Sequence, residues 1–283
     1  MFTNDINNNL NFSIEHAQRT DGPHNMSSKH YHNGYEIYYL LDGERYYFIE
    51  ERTYHVKKGS LVLINKNILH KTLDAADPAH ERILISFNDK YLYNLIEEIN
   101  DINLYFVFKN NQYLLTPSIE KQLWLENFLF KMIRENKQKK VGFKSCLKSM
   151  LIQLLIFINR LSKTNQNLDI EHPDPTSAKI SEIANYIKNN YQQELKLKTV
   201  AEKFNLTPSY LSKTFKKITG FNFVEYKNNV RVKEARKLLQ QTNSNITQIA
   251  GKAGYNNITH FGRTFKKITG YSPLNYRKLY ENK

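Results

Sequence analysis

Cysteine is almost absent from this chain. The one thiol in 283 residues, Cys146, has no internal partner, so no disulfide staples the fold and a reducing compartment suits it. It falls in an apolar helical run, which predicts a buried, inert thiol. Long apolar stretches are lacking too. The run Leu154–Ile158 is far too short to cross a bilayer, and the opening Met1-Phe2-Thr3-Asn4-Asp5 has no signal-peptide core. The expectation is a cytoplasmic protein with no membrane partner. Neither a Gly-rich phosphate loop nor a nucleophile elbow occurs, and no substrate base stands out. No catalytic residue and no cofactor are therefore expected.

Acidic residues run short in one half only. Residues 178–283 contain no Asp, and hold 20 Lys and Arg against 6 Asp and Glu. Residues 1–177 hold 21 of each, so the whole +14 of the chain lies in the C-terminal segment. That asymmetry predicts a polyanion-binding module joined to a neutral one. Length agrees with two domains, each able to bury a core.

What the basic segment has is a repeat. Residues 214–220 and 264–270 both read Thr-Phe-Lys-Lys-Ile-Thr-Gly. An identity of that length marks a duplicated unit. In the first copy, Leu197–Phe204 reads as a short helix with Val200 and Ala201 inward, and Asn205-Leu206 makes the turn. Thr207 then N-caps a second helix with Pro208 in its first position, where a missing N–H costs nothing. Leu211, Phe215 and Ile218 form its buried stripe; Ser209, Ser212, Lys213 and Lys216 lie opposite. The second copy repeats the pattern. Ile249 and Ala250 face inward, Gly254 permits the turn, and Phe261, Phe265 and Ile268 are buried. Thr259, Gly262, Arg263 and Lys266 are left exposed. Phe223–Leu239 reads as a rigid helix between the units, so that two readers can enter successive major grooves about 34 Å apart.

The N-terminal half reads differently. Residues 30–90 are rich in Tyr, Ile, Val and Leu and punctuated by Asn33-Gly34, Asp42-Gly43 and Lys58-Gly59, which predicts short strands in a barrel or sandwich. Asp42-Gly43 is expected to be a hairpin turn between Glu36–Leu41 and Glu44–Glu50. Helices follow, from Pro117-Ser118 through Arg134 and from Phe143 to Leu161. In the latter, Leu147, Leu151, Leu154, Ile158 and Leu161 form a seam that either a partner helix or the β domain could cover. Residues 162–177, polar and broken by Pro173 and Pro175, read as an interdomain linker.

Two resemblances rest on these residues. Ile249-Ala250-x2-Ala253-Gly254-Tyr255-x5-Phe261-x3-Phe265-Lys266-x3-Gly270-x-Ser272-Pro273-x2-Tyr276-Arg277 resembles the C-terminal signature of AraC/XylS-type transcription regulators. Arg231, Ala235, Leu238 and Leu239 resemble that family's linker helix. The resemblance implies two helix-turn-helix units, each placing its second helix in a major groove of double-stranded DNA. By position, Ser209, Ser212 and Lys213 would read bases from the first helix, and Ile258, Thr259 and Arg263 from the second. Arg263 is the strongest of these, because its planar fork matches the two guanine acceptors. Lys216, Lys217, Lys266 and Lys267 would meet phosphates, as would His260, which stands where the family usually has an aromatic residue.

The second resemblance is to the cupin barrel, through His30-x-His32-x3-Glu36-x6-Gly43 and Gly59-x5-Asn65-x-Asn67-x2-His70, with Asn65 and Asn67 where Pro and Gly are usual. Three imidazoles and a carboxylate are a donor set for a divalent transition metal. The alternative is thus a metal-dependent cupin enzyme fused to a DNA-binding domain. Regulators resembling this chain keep the pattern while binding a small effector without metal, and that is the reading taken. His30, His32, Glu36, Tyr38 and His70 would line the effector pocket. Strand alternation puts Glu36 and Tyr38 on one face and Tyr35 and Ile37 on the other.

The sequence therefore predicts an α+β two-domain regulator. A cupin-like effector-binding and dimerisation domain covers 1–161, with its barrel over about 12–90 and helices over about 91–161. The linker covers 162–177 and an all-α DNA-binding domain 178–283. The expected partners are DNA, a small-molecule effector, a second copy of the chain and, for an activator, RNA polymerase.

Overall fold

The structure, a computed structural model, describes residues 11–20, 34–96, 101–109, 112–164 and 175–281. Its N-terminal part is antiparallel β. The strands are β1 (Phe12–Arg19), β2 (Tyr35–Ile49), β3 (Arg52–Lys57), β4 (Leu61–Ile64), β5 (His70–Asp74) and β6 (His80–Phe87), with a short β7 (Leu114–Leu115) added later. One sheet has the order β1-β6-β2-β4-β7; β3 and β5 pair with the second half of β2.

The expected hairpin at Asp42-Gly43 is not there. β2 runs on through it as one strand of 15 residues, and the register against β6 slips between Leu40 and Asp42. This is a bulge, with Gly43 supplying the left-handed φ of 82°. The extra residue reverses the alternation. Glu36, Tyr38 and Leu40 before it, and Arg45, Tyr47 and Ile49 after it, are all buried between the two halves of the sheet. The real hairpin is β2–β3, closed by Glu50-Glu51 between the paired Ile49 and Arg52.

The outer face of the first sheet carries Tyr35, Ile37, Tyr39, Ile83, Ile85 and Phe87. Helices α1 (Asp89–Ile96), α2 (Phe106–Lys109), α3 (Ile119–Gln138) and α4 (Phe143–Thr164) accompany this sheet. The seam Leu147, Leu151, Leu154, Ile158, Leu161 is buried here, in one cluster with the sheet and with Leu125, Leu129 and Met132 of α3. The β domain and α3, not a partner helix, cover it. Each such leucine contributes on the order of 2 kcal/mol by leaving water. By length and composition Phe143–Lys163 is apolar enough to cross a membrane, more so than its five-residue apolar run suggests; its leucine side is core instead. Cys146, expected to be buried, is exposed, because it lies one position off that leucine side.

The C-terminal part is all helix: α5 (Pro175–Asn189), α6 (Leu197–Lys203), α7 (Pro208–Thr219), α8 (Phe223–Gln241), α9 (Ile246–Lys252), α10 (Ile258–Thr269) and α11 (Pro273–Glu281). Of the stretch read as a linker, residues 162–164 end α4 and 175–177 begin α5. Two separate cores form, one around Leu211, Phe215 and Tyr226, the other around Ile249, Phe261 and Phe265. Helix α8 runs through both, supplying Tyr226 and Val230 to the first and Val232, Ala235 and Leu239 to the second. Its start is fixed by a capping box, with the Asn222 side chain accepting from the Glu225 N–H at 2.8 Å and Glu225 accepting from the Asn222 N–H at 3.1 Å.

Candidate nucleic-acid interface and sensor interior

Helices α6–α7 and α9–α10 are the two helix-turn-helix units. In the first, Asn205 takes the left-handed conformation at the turn, with φ 56°. The Thr207 hydroxyl then accepts the Tyr210 N–H at 3.2 Å, and Pro208 occupies the first helical position. In the second, Gly254 makes the turn with φ 83°, and the Asn257 side chain caps α10 by accepting the His260 N–H at 2.9 Å. Leu211 and Phe215, like Phe261 and Phe265, are fully buried; Ile218 and Ile268 are partly so.

The opposite faces are open. Ser209, Lys213, Lys216 and Lys217 of α7 are exposed and Ser212 is half-buried. On α10, Ile258, Thr259, His260, Arg263, Lys266 and Lys267 are exposed. The structure thus gathers the six residues expected to read bases, and the five expected at phosphates, on two helix faces bearing no Asp or Glu. Each of the two helices packs on one side and leaves an open, basic face on the other.

What ties the two units together was not legible as a site. Arg231 of α8, almost fully buried, donates from Nε to the Tyr191 carbonyl at 2.8 Å and from a terminal nitrogen to the Gln193 carbonyl at 2.9 Å. Its guanidinium also lies 5.3 Å from the centre of the Tyr255 ring. One side chain therefore grips the α5–α6 loop of the first unit and an aromatic of the second. Burial lowers its affinity for the proton and raises that of the Tyr255 phenol. A hollow of about 460 Å³ lies beside it, lined in part by Lys227, Thr259, His260 and Arg263.

In the N-terminal domain, His30 and His32 lie outside the described residues. The structure brings Glu36 and His70 together, Nε2 to Oε2 at 3.2 Å, both side chains buried. Tyr38 lies on the same interior face, with its hydroxyl buried and without a hydrogen-bond partner among the described residues. Burial pushes this phenol up to about 12. Sequence reasoning missed three further interior residues. Arg45 is buried in an ion pair with Asp74. The Arg82 guanidinium sits 6.0 Å from the Tyr38 ring centre, and the Tyr47 ring packs edge-on to Tyr38 at 5.0 Å. The bulge explains the miss for Arg45 and Tyr47, because simple alternation from Glu36 puts both outside. Asn67, standing where the cupin pattern has glycine, does take a left-handed φ of 63°.

Two open, basic helix faces joined to an antiparallel domain with a polar buried interior are the layout of a two-unit helix-turn-helix protein carrying a separate N-terminal domain. Similarity narrows the class. Residues 13–124 match the family described as AraC-like ligand binding domain, and residues 200–279 match the helix-turn-helix domain. The chain belongs to the AraC family of transcription regulators. It is 25% identical over 252 residues to an uncharacterized HTH-type transcriptional regulator of Staphylococcus aureus (strain MRSA252), a match covering 87% of this chain and 31% of that protein. The chain thus spans about a third of the length of such staphylococcal relatives. The melibiose operon regulatory protein of Escherichia coli (strain K12) is 25% identical over 273 residues, covering 92% of this chain and 87% of that one. Among solved structures, apo ToxT from Vibrio cholerae matches over 96% of this chain and 99% of its own, at 17% identity and a TM-score of 0.41.

Proposed function

We propose that this regulator is effector-responsive and cytoplasmic, and that it reads two successive major grooves, one with α7 and one with α10. The observation that carries this reading is the pair of exposed, acid-free helix faces, each backed by its own core and both held on α8. In α7, Ser209, Ser212 and Lys213 are the base readers; in α10 they are Ile258, Thr259 and Arg263. The lysines at 216, 217, 266 and 267, with His260, hold phosphates, a contact that positions without reading. The working boundaries are 1–161 for the sensing domain and 178–283 for the DNA-binding domain.

The effector is a small polar metabolite bound in the sensor interior. Glu36, Tyr38 and His70, with Arg45, Tyr47 and Arg82, give that interior donors and acceptors in a low-dielectric setting, where each hydrogen bond to a ligand counts most. Binding shifts the regulator only by the difference in its affinity for two arrangements of the chain.

The chain acts as a homodimer, and the surface for it is the outer side of α3 and α4. There Trp124, 43% exposed, stacks on Phe157 at 4.3 Å and on Phe128 at 4.9 Å, beside a hollow of about 560 Å³ bordered by Glu120 and Arg160. If the regulator activates, RNA polymerase is a further partner.

A footprint on the DNA flanking its own gene, with excess competitor, tests the reading. The expected result is protection of two adjacent major-groove turns per protomer. Uniform protection that follows salt but not sequence would replace specific regulation with nonspecific coating.

A further inference from the structure

One patch of sheet has two faces with different neighbours. In the second half of β2, Tyr47 and Ile49 are buried in the sensor interior, and their partners on β5 are Thr72 and His70. Between them Phe48 and Lys71 are paired with each other and point the opposite way. That outer face meets the first helix-turn-helix unit. The Phe48 ring lies 6.4 Å from Phe221 and 5.8 Å from Tyr226. Lys71 Nζ donates to the Gly220 carbonyl at 2.8 Å, at the end of α7 where the helix dipole favours a cation.

The adjoining β2–β3 turn is held just as firmly. Glu50 has φ 56°, a conformation unfavourable for a glutamate. Its carboxylate pairs with Lys233 of α8 and lies 3.9 Å from Lys188 of α5, and its carbonyl accepts from the Tyr226 hydroxyl at 2.8 Å. Glu51 pairs with Lys188 at 3.0 Å. Phe48 and Leu69 belong to the core of the first unit. Among the described residues, the core of the second unit contains none from the N-terminal domain. Among the described residues, nothing lies within 4 Å of where a Cβ would stand on Gly270, whereas on Gly220 it would run into the Lys71 side chain.

We propose that the sensing domain controls the two readers unequally. The β2–β5 patch is the transmission surface: its inner face meets whatever occupies the interior, and its outer face holds the first unit. The sensor's state then alters binding at the α7 half-site and leaves the α10 half-site unchanged. The control is by holding and not by covering, because Ser209, Lys213 and Lys216 stay exposed with the domain docked. Since Phe48 and Leu69 complete the first unit's core, the docked arrangement is the one competent to read. This inference rests on the two-reader reading above.

The test uses the full chain and a duplex that it selects from a randomised library, in three forms: intact, first half-site scrambled and second half-site scrambled. Glu50→Gln with Lys71→Met removes the charged contacts and keeps side-chain size. The expected result is about tenfold weaker binding wherever the α7 half-site is the one retained, the loss of charge-assisted hydrogen bonds. Binding through the α10 half-site alone should stay within about twofold, which also shows that the variant is folded. Lys71→Met alone should move the α7 half-site in the same direction by less. Equal losses at both half-sites in both variants, or no loss at either, would overturn the proposal. Failure of the wild-type chain to select a two-box site would overturn the two-reader reading, and this inference with it.

Discussion

The two copies of Thr-Phe-Lys-Lys-Ile-Thr-Gly form the same local structure in different surroundings. In each, the threonine hydroxyl donates to the phenylalanine carbonyl one turn back, at 2.7 Å from Thr219 and 2.8 Å from Thr269. In each, the glycine is left-handed and its N–H reaches the lysine carbonyl four residues earlier at 2.9 Å. The next residue separates them. Phe221 is fully buried against the sensing domain; Tyr271 is 42% exposed. Identical sequence fixes the helix and its cap, while contacts with a surface distant in the chain, Phe48 on Phe221 and Lys71 on Gly220 among them, distinguish the docked copy from the other.

The largest way to break the comparison is to empty each core. Phe215→Ala and Phe265→Ala should each cost about 3–5 kcal/mol. Hydrogen exchange should show the loss at 265 confined to α9–α11, and the loss at 215 spreading to β2 and β5 through Phe48 and Leu69. Equal confinement in both would remove the first unit's dependence on the sensor. Next come the readers. Arg263→Ala should weaken specific binding by roughly 1–3 kcal/mol and relax preference at one base pair, whereas Lys213→Ala, lacking a bidentate fork, should lose less. Binding to single-base operator variants decides it, since equal losses on specific and random duplexes would move Arg263 to the backbone.

A smaller effect sharpens the contrast between the glycines. Gly220→Ala and Gly270→Ala both meet the left-handed penalty, about 1 kcal/mol. Only the change at 220 must also displace Lys71, so urea denaturation should rank it as the more destabilising. The smallest concerns acid. Burial pushes the Glu50 carboxyl up, but Lys233, Lys188 and the Tyr113 hydroxyl outweigh that and hold it below its ordinary value of 4.5. A lowered value in the docked state means that the contact gains its full strength above about pH 4.5 and loses it as pH falls through the lowered value. Exchange at the Phe221 and Tyr226 amides should rise there relative to Tyr271 and Tyr276, after correction for intrinsic rates.

The reading units were legible because their signals are local. Thr207-Pro208, Asn205, Gly254 and the i, i+4 phenylalanines act within one or two turns of chain, and the structure places all of them as the pattern implies. The sensor resisted for the opposite reason. Asp42-Gly43 has the composition of a hairpin turn, yet neighbouring strands on both sides draw β2 through it as a bulge. The true turn at Glu50-Glu51 carries no turn signature, since its left-handed glutamate is held by residues some 180 positions later, Lys233 and Tyr226. The leucine seam of α4 was periodic enough to see, but periodicity names a buried face and not what buries it. Of the expected effector-pocket residues, Glu36, Tyr38 and His70 share the interior, and Arg45 and Tyr47 join them only because of the bulge.

The second unit's independence has a consequence for how such a protein changes over time. Ile249, Phe261, Phe265 and Tyr276 close a core with α8 that owes nothing to the sensing domain among the described residues. Substitutions on the open face of α10 can therefore accumulate, or the whole α9–α11 segment be exchanged for another, without disturbing the machinery that detects a ligand. On the proposal that α7 and α10 read separate half-sites, new promoters would be acquired most easily through the α10 half of the operator, while the α7 half would stay tied to the N-terminal domain that holds it.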